Sequence, residues 1–212
     1  MNATRQRMTL AEATAAAEKL YALVGVQAYV DWVFAGSIRR RAPSVGDIDH
    51  VVLPAFAEGP RENLFLPGPP ENQLWKRLDE LTRAGQLKYA IGGGGGDRKR
   101  IVELDGHKHE IWTARPDTWG IVLLIRTGPG DFSKRFVTDL RKHGCVAHDG
   151  AVWRLSDNPA DHTLPNLTDR EARQRGLWIR DEIARGVQIP TPTEHDVFRL
   201  IGWSDIKPED RR

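Results

Sequence analysis

The sequence predicts an α+β protein, with a mixed sheet and helices over residues 1–115 and a smaller α+β subdomain over residues 116–212. Segments 26–35 and 47–54 are rich in Val and bounded by turn residues, which is typical of strands. Apolar residues recur at helical spacing over 71–84, which indicates an amphipathic helix between strands. Helices and short strands in one chain of this length favour the α+β class.

The first predicted helix begins at a capping box, Thr9-X-X-Glu12, and Ala11 to Leu23 has the composition of a good helix former. Gly25 is placed to end that helix. The stretch from Pro54 to Pro70 is dense in Pro and Gly and is predicted to be a loop. Further strands joined by Gly92 to Gly96 and by a short turn are expected at Lys88 to Ile91, Arg100 to Leu104 and Lys108 to Thr113.

The second half begins with an apolar stretch at 120–126. A helix is predicted from Lys134 to His143, with Gly144 as its stop. Thr168-X-X-Glu171 opens another predicted helix that runs to Gly186. A last helix is expected to start near Thr193 and to end at Gly202.

Composition excludes several classes of protein. No apolar run reaches the length of a membrane span, and the N-terminus lacks the order of a signal peptide. We therefore expect no membrane partner. The lone Cys145 excludes an internal disulfide, which fits a reducing cytoplasm. The formal net charge is only +2, yet basic residues cluster at 39–41, 98–100 and 134–142, as expected of a nucleic-acid partner.

Residues 36–49 combine a Gly-Ser turn, a run of arginines and two aspartates. Backbone N–H groups at Gly36-Ser37 can bind phosphate oxygens, and arginine binds them through bidentate hydrogen bonds. Asp47 and Asp49 are two residues apart on a predicted strand, so they point to the same face. Two such carboxylates can hold Mg²⁺ for phosphoryl displacement, which together with the phosphate site indicates nucleotidyl transfer.

Each part of this pattern also has a simpler interpretation. An Asp-X-Asp pair on a strand commonly belongs to the solvated surface, and Gly-Ser alone is an ordinary turn. The pattern His107-X-His109-Glu110 suggests zinc, but in a strand both histidines face opposite to Glu110, so the three do not converge.

The same residues resemble a known family. Gly-Ser-X-Arg-Arg followed by Gly-Asp-X-Asp resembles the signature of the polymerase β–like nucleotidyltransferases, and in particular the family X DNA polymerases. The chain closely resembles the short forms of this family found in phage and prophage genomes. The resemblance continues through Glu110 to Ala114, Trp119 to Gly128, Asp131 to Lys134, Ile189 to Phe198 and Lys207 to Arg211.

This resemblance implies a nucleotidyltransferase palm over residues 1–115 and a thumb-like subdomain over 116–212, with no N-terminal lyase or helix-hairpin-helix domain. It implies a Mg²⁺-dependent DNA polymerase, with Mn²⁺ as a possible substitute, that adds dNTPs to a primer 3′-hydroxyl in short gaps and releases pyrophosphate. The expected partners are a DNA primer-template and a nucleoside triphosphate. We expect a monomer in the cytoplasm of a bacterium or of a phage-infected host.

By the same resemblance, Asp47, Asp49 and Glu110 form the catalytic and metal-binding triad, with Glu where the family mostly has Asp. Glu103 and Asp105 compete for the third position, and strand alternation favours Glu110. The residues implied in nucleotide binding are Gly36, Ser37, Arg40, Gly46, Thr127 and Gly128. A cis peptide is implied after Gly128, and Lys134 and Arg141 are implied to contact DNA phosphates.

Two other functions stay open. The chemistry could be directed to RNA ends, to a protein or to a small molecule, as in other transferases of this fold. Alternatively, the chain is a non-catalytic nucleic-acid-binding module that has kept a nucleotide pocket. The identity of the acceptor separates the first alternative from a polymerase, and turnover separates the second.

Overall fold

The computed structural model describes residues 7–61, 66–154 and 186–212. The predicted helix from Thr168 to Gly186 therefore lies outside the described residues, except for its last residue. The chain divides into two compact units, here called unit 1 (Met1–Arg115 with Pro208–Asp210) and unit 2 (Pro116–Lys207 with Arg211–Arg212). Both contain helices and strands, so the protein is α+β.

Unit 1 consists of a sheet, two small strand pairs and three α-helices among its described residues. Its helices are α1 (Leu10–Val24), α2 (Gly36–Arg39) and α3 (Gln73–Arg83). Its strands are β1 (Met8–Thr9), β2 (Tyr29–Phe34), β3 (Ser44–Val45), β4 (Ile48–Pro54), β5 (Phe56–Glu58), β6 (Pro70–Asn72), β7 (Lys88–Tyr89), β8 (Lys99–Leu104) and β9 (His107–Thr113). Short 3₁₀ turns lie at Val26–Ala28 and Pro208–Asp210.

The main sheet of unit 1 is mixed. Its strand order is β2-β4-β9-β8-β7. The central strands β4 and β9 run parallel, and the other neighbouring pairs run antiparallel. Strands β1 and β3 form a separate antiparallel pair, as do β5 and β6. The parallel centre brings the ends of β4 and β9 that carry acidic residues to the same part of the sheet.

One face of this sheet is covered by helices. Apolar residues of α1, α3 and the sheet form a single buried cluster that includes Leu20, Leu74, Leu78, Val52, Val102 and Ile111. Burial of several such side chains is worth on the order of 1.5–3 kcal/mol each, so this face anchors the fold. Because side chains alternate along a strand, Asp49 on β4 and Glu110 on β9 project from the other face.

The start and end of α1 are set by local hydrogen bonds. Thr9 Oγ1 accepts from the Glu12 N–H, and the Glu12 carboxylate accepts from the Thr9 N–H, which is the predicted capping box. Gly25 ends the helix at φ +81°, and its N–H donates to the carbonyl of Tyr21. Removal of such an N-cap costs about 1 kcal/mol, so these few residues fix the boundaries of α1.

Some elements of unit 1 differ from the prediction. The segment predicted to be a loop from Pro54 to Pro70 contains β5 and leads into β6, and these short strands pair as a hairpin. Pro70 lies at the first position of its strand, where a missing N–H is tolerated. The strand predicted at 26–35 begins with a 3₁₀ turn, and the glycine-rich segment 92–96 joins β7 to β8 as expected.

Unit 2 has its own sheet. Among the residues that the structure describes, its helices are α4 (Trp119–Thr127), α5 (Gly130–Lys142) and α6 (Glu194–Arg199). Its strands β10 (Cys145–His148), β11 (Ala151–Arg154) and β12 (Val187–Ile189) form an antiparallel sheet in that order. Helix α5 starts four residues before the predicted position, because Pro129 has the extended conformation of an N-cap and Asp131 lies in the first turn.

The helices of unit 2 are held by close backbone contacts and one buried ion pair. The N–H of Gly120 in α4 donates to the carbonyl of Thr191 over 2.8 Å. The side chain of Arg211 is 1% exposed, and it donates to the Glu194 carboxylate over 2.7 Å. Its guanidinium also lies over the rings of Phe132 and Phe198. The charge of Arg211 is therefore buried with its partners, which a buried cation requires.

No helix in the described part of the chain is both long enough and apolar enough to cross a bilayer.

Candidate active site

The two central strands bring a pair of carboxylates together. Asp49 on β4 and Glu110 on β9 are register partners in the parallel ladder. Neighbouring strands are about 4.8 Å apart, and register partners project from the same face. Both carboxylates thus lie side by side on the face opposite α1 and α3. Of the competing acids, Glu103 is paired with Lys88 near the sheet edge, and Asp105 lies in the β8–β9 turn.

Asp47 and Gly46 precede β4 and line a cleft of about 790 Å³. Other walls of this cleft come from α1 and from the turn between β8 and β9. The Oδ1 atom of Asp47 is shielded from solvent. Polar and apolar atoms line the cleft in about equal measure, and it is large enough for a small ligand. Neither Asp49 nor Glu110 is among its lining residues.

Gly36 makes the closest approach to the carboxylate pair. It has a φ of +55°, a conformation that favours glycine. A Cβ atom added to Gly36 would lie 2.2 Å from Oδ2 of Asp49, far inside van der Waals contact. The N–H of Ala35 donates to the carbonyl of Asp49 over 2.8 Å, which fixes the turn against β4. The Gly-Ser turn is therefore built around the Asp49 carboxylate.

Ser37 lies in the short helix α2, which begins at Gly36, and Arg40 is the C-cap residue of that helix. Nη2 of Arg40 donates to Oγ of Ser37 over 3.0 Å, so the hydroxyl and the guanidinium are neighbours. Such a pair offers several donors to an anion at one point. Both residues are only partly exposed, so they have little freedom to move away from this position.

Arg7 belongs to this region, although its position in the sequence does not indicate it. Its Nε donates to Oγ of Ser44 over 2.6 Å, and its Nη2 donates to the carbonyl of Ser44 over 2.9 Å. Its Nη1 lies 3.7 Å from where a Cβ of Gly46 would be. Pairing of β1 with β3 brings Arg7 here, and two-residue strands carry no periodic signal by which this pairing is predicted.

Glu110 is surrounded by positive charge. Its Oε2 is 2.6 Å from Nζ of Lys99, and its Oε1 is 2.9 Å from Nζ of Lys108. Burial on its own would raise the pKa of the Glu110 carboxyl. The hydrogen bonds and charges of Lys108 and Lys99 outweigh burial, so the pKa is lowered and Glu110 is ionised at neutral pH.

The donor set suits Mg²⁺, which prefers carboxylate oxygens. Asp49 and Glu110 provide two such groups at neighbouring positions, and Asp47 a third at the start of the same strand. In the described ranges, however, no group of three or more His, Cys, Asp or Glu side chains is arranged to hold a metal ion. The residue types fit magnesium, while the oxygens of Glu110 are engaged by ammonium groups.

The opposite face of the same strands carries a buried histidine pair. The indole Nε1 of Trp32 donates to Nδ1 of His50 over 3.0 Å, and Nε2 of His50 is 3.0 Å from Nδ1 of His109. Since an indole only donates, His50 is neutral with its proton on Nε2, which then donates to His109. His109 therefore faces away from Glu110, as alternation predicts for this pair.

Burial sets the protonation of this pair. It lowers the pKa of His50 well below its ordinary value, and it lowers the pKa of His109 from 6.5 to about 4, with a smaller contribution from His107. Between pH 6.5 and 4 the unfolded chain then binds more protons than the folded chain. Stability is present above pH 6.5 and is lost as the pH falls toward 4, because protons drive the equilibrium to the unfolded state.

We expect the free energy of unfolding to drop on the order of 3 kcal/mol from pH 7 to pH 4 through His109 alone. Urea denaturation followed by circular dichroism at several pH values measures this slope. The H109Q variant, which has no titrating imidazole at this position, is expected to show a flatter profile. An equally steep profile in H109Q would contradict the assignment of the slope to this residue.

The nucleotide-binding residues predicted in unit 2, Thr127 and Gly128, lie at the junction of α4 and α5. Thr127 ends α4 and is buried, and the N–H of Gly128 donates to the carbonyl of Leu124 over 2.9 Å. The peptide bond after Gly128 is trans, so the implied cis peptide is wrong. Extended Pro129 leads directly into α5, and a trans bond fits this path.

Lys134 and Arg141 are two helical turns apart on α5, which places them on one face of that helix. The side chain of Lys134 is 82% exposed, and it is 3.7 Å from the exposed carboxylate of Asp131. Arg141 is half-buried, and burial lowers the pKa of its guanidinium from the ordinary value. Lys134 is thus accessible to a polyanion, whereas Arg141 is only partly accessible.

No model of a protein family matches this chain, and no curated protein matches its sequence.

Proposed function

We propose that the chain is a Mg²⁺-dependent nucleotidyltransferase of the DNA polymerase X type. In this proposal unit 1 is the palm, a nucleotidyltransferase catalytic domain, and unit 2 is a thumb-like subdomain. The observation that carries it is the pairing of Asp49 with Glu110 in a parallel ladder, with Gly36 packed against the Asp49 carboxylate. An acid pair on an ordinary surface does not require a glycine so close to its carboxylate. A catalytic carboxylate beside a phosphate-binding turn does require one.

In this function Asp47, Asp49 and Glu110 hold Mg²⁺. The bound ions supply Lewis-acid activation of the attacking hydroxyl and charge neutralisation at the triphosphate. The primer 3′-oxygen forms a bond to the α-phosphorus of the dNTP, and the bond from that phosphorus to the pyrophosphate oxygen breaks. The hydroxyl proton leaves to solvent.

The other residues of unit 1 bind the anionic part of the substrate. Ser37 and Arg40 donate hydrogen bonds to phosphate oxygens, as does the backbone of Gly36 and Gly46. In this proposal Arg7, which Ser44 holds close to Gly46, adds a further guanidinium for the triphosphate. These donors keep the α-phosphorus in place and stabilise the charge that develops on the leaving pyrophosphate.

In unit 2, the proposal assigns the sugar pocket to Thr127 and Gly128. Lys134 and Arg141 bind phosphates of the DNA backbone, which positions the duplex without reading its sequence. Binding of DNA then weakens as salt concentration rises, because each phosphate contact releases counterions.

Primer extension tests the proposal. Recessed and gapped DNA are incubated with dNTPs and either Mg²⁺ or Mn²⁺, together with RNA, protein and small-molecule acceptors and labelled nucleotide. We expect incorporation at the DNA 3′-end by the parent protein and none above background by D49N. If DNA ranks last among the acceptors, a different transferase is indicated. If DNA binds without any turnover, the catalytic proposal is wrong.

A further inference from the structure

The carboxylate of Glu110 lies between two ammonium groups. Lys99 contacts Oε2 over 2.6 Å and Lys108 contacts Oε1 over 2.9 Å. The Glu110 side chain is 17% exposed, and the two lysine side chains are 30% and 31% exposed. These ion pairs are partly withdrawn from water, so they are stronger than ordinary surface pairs.

The sheet delivers both lysines to this position. Lys108 is two residues before Glu110 on β9 and so shares its face. Lys99 is on β8 opposite Trp112, which makes it the diagonal neighbour of Glu110. Its ammonium group also lies 4.5 Å from the centre of the Trp112 ring, where a cation–π interaction holds it. The sheet therefore sets the positions of both lysines next to Glu110, and these contacts do not depend on the free rotation of exposed side chains.

We propose that Lys99 and Lys108 are the resident cations of the carboxylate site. Without metal they neutralise Glu110 and allow it to lie beside Asp49 despite their like charges. A divalent cation that binds Glu110 has to displace at least one ammonium group, because positive charges at this distance repel strongly. Metal uptake at this site is therefore an exchange of cations. The inference rests on the proposed function, and it identifies two positioning residues that set metal affinity.

The proposal explains why Glu110, a member of the predicted carboxylate triad, contacts two lysines. Glu110 has the position of the third carboxylate, yet both of its oxygens face lysines. A lysine that leaves Glu110 remains on the same face of the sheet, and its long side chain can then reach a phosphate oxygen of a bound substrate. Substrate binding is thus expected to favour metal uptake, and metal is expected to favour substrate binding to the same degree.

Binding of Mn²⁺ to the nucleotide-free protein tests the exchange directly. The variants are K99M and K108M, in which the side chain keeps its length and loses its charge. The control is K88M, because Lys88 pairs with Glu103 over 2.8 Å in the same sheet without touching Glu110. Isothermal titration calorimetry and the electron paramagnetic resonance signal of free Mn²⁺ measure affinity, and circular dichroism verifies the fold.

We expect K99M and K108M each to bind Mn²⁺ about threefold to fivefold more tightly than the parent, the effect of an ion pair that no longer has to be broken. K88M is expected to keep the parent affinity. Equal or weaker binding by folded K99M and K108M overturns the proposal. So does an equal gain in K88M, which would mark a general charge effect, and so does a lack of Mn²⁺ binding in the parent and both variants.

A second comparison links the effect to Glu110. In an E110Q background, K99M is expected to leave Mn²⁺ affinity unchanged, because the ion pair is already gone; a full gain there overturns the assignment. These measurements of Mn²⁺ affinity do not depend on catalytic turnover. Extension of primers with unchanged affinities would refute the exchange alone, whereas a tighter site without nucleotidyl transfer to any acceptor would refute the proposed function alone.

Discussion

Replacement of Gly36 by alanine is expected to lower primer extension by roughly 10²-fold, the loss that misplacement of a reacting group causes, because Asp49 is a proposed metal ligand. The new Cβ would lie 2.2 Å from Oδ2 and 3.0 Å from Cγ of Asp49. The carboxylate would have to rotate away, because the rest of the turn is fixed by the bond from Ala35 to β4. The proposed metal ligand would then be present but misplaced.

The fold should survive this change better than the activity. An alanine at a φ of +55° costs on the order of 1 kcal/mol, and the atoms it meets belong to a side chain that can turn. Single-turnover primer extension and thermal unfolding measure the two effects. The control is G95A, since a Cβ at Gly95 meets nothing within 4 Å. Near-parental activity in G36A would contradict the role given to Asp49.

The second large effect is expected at Gly120 in unit 2. A Cβ there would lie 2.0 Å from the carbonyl oxygen of Thr193 and 2.7 Å from that of Thr191. Both are backbone atoms, which do not move aside as a side chain does. The helix α4 would have to shift, and the hydrogen bond from Gly120 to Thr191 would break. We expect G120A to destabilise unit 2 by roughly 3–4 kcal/mol.

Denaturation monitored by circular dichroism measures this loss, and G130A is the matched control. Gly130 is also helical, at the start of α5, but a Cβ there meets nothing within 4 Å. Because alanine is the better helix former, G130A is expected to be neutral or slightly stabilising. Equal stability of G120A and G130A would show that the approach of α4 to the 191–193 segment is looser than described.

Local signals made much of the fold predictable. The capping box at Thr9 and Glu12 and the glycine at 25 act within a few residues, and they fix α1 as expected. The amphipathic pattern of 71–84 likewise predicts α3 to within two residues at each end. The α+β class follows from such segments. Strands β1, β3, β5 and β6 were missed because segments of two or three residues carry too little periodicity.

The candidate site, like the fold, was predictable from the sequence only where local signals determine it. Asp47, Asp49, Gly36 and Arg40 belong to one short motif, so their chemistry is visible in the sequence. Selection of Glu110 rests on the family resemblance together with strand alternation, and its pairing with Asp49 agrees with that selection. The contacts of Lys99 with Glu110 and of Arg7 with Ser44 join distant parts of the chain. No local pattern predicts them, since they depend on strand register.

The parallel pairing of β4 with β9 has a kinetic consequence. The whole of β5 to β8, together with α3, separates these strands along the chain, so a long loop must close before the ladder forms. Contacts of such high sequence separation slow folding. During synthesis, the Gly-Ser turn and both aspartates emerge before β9, so Glu110 joins Asp49 only after the later strand has been made and has docked.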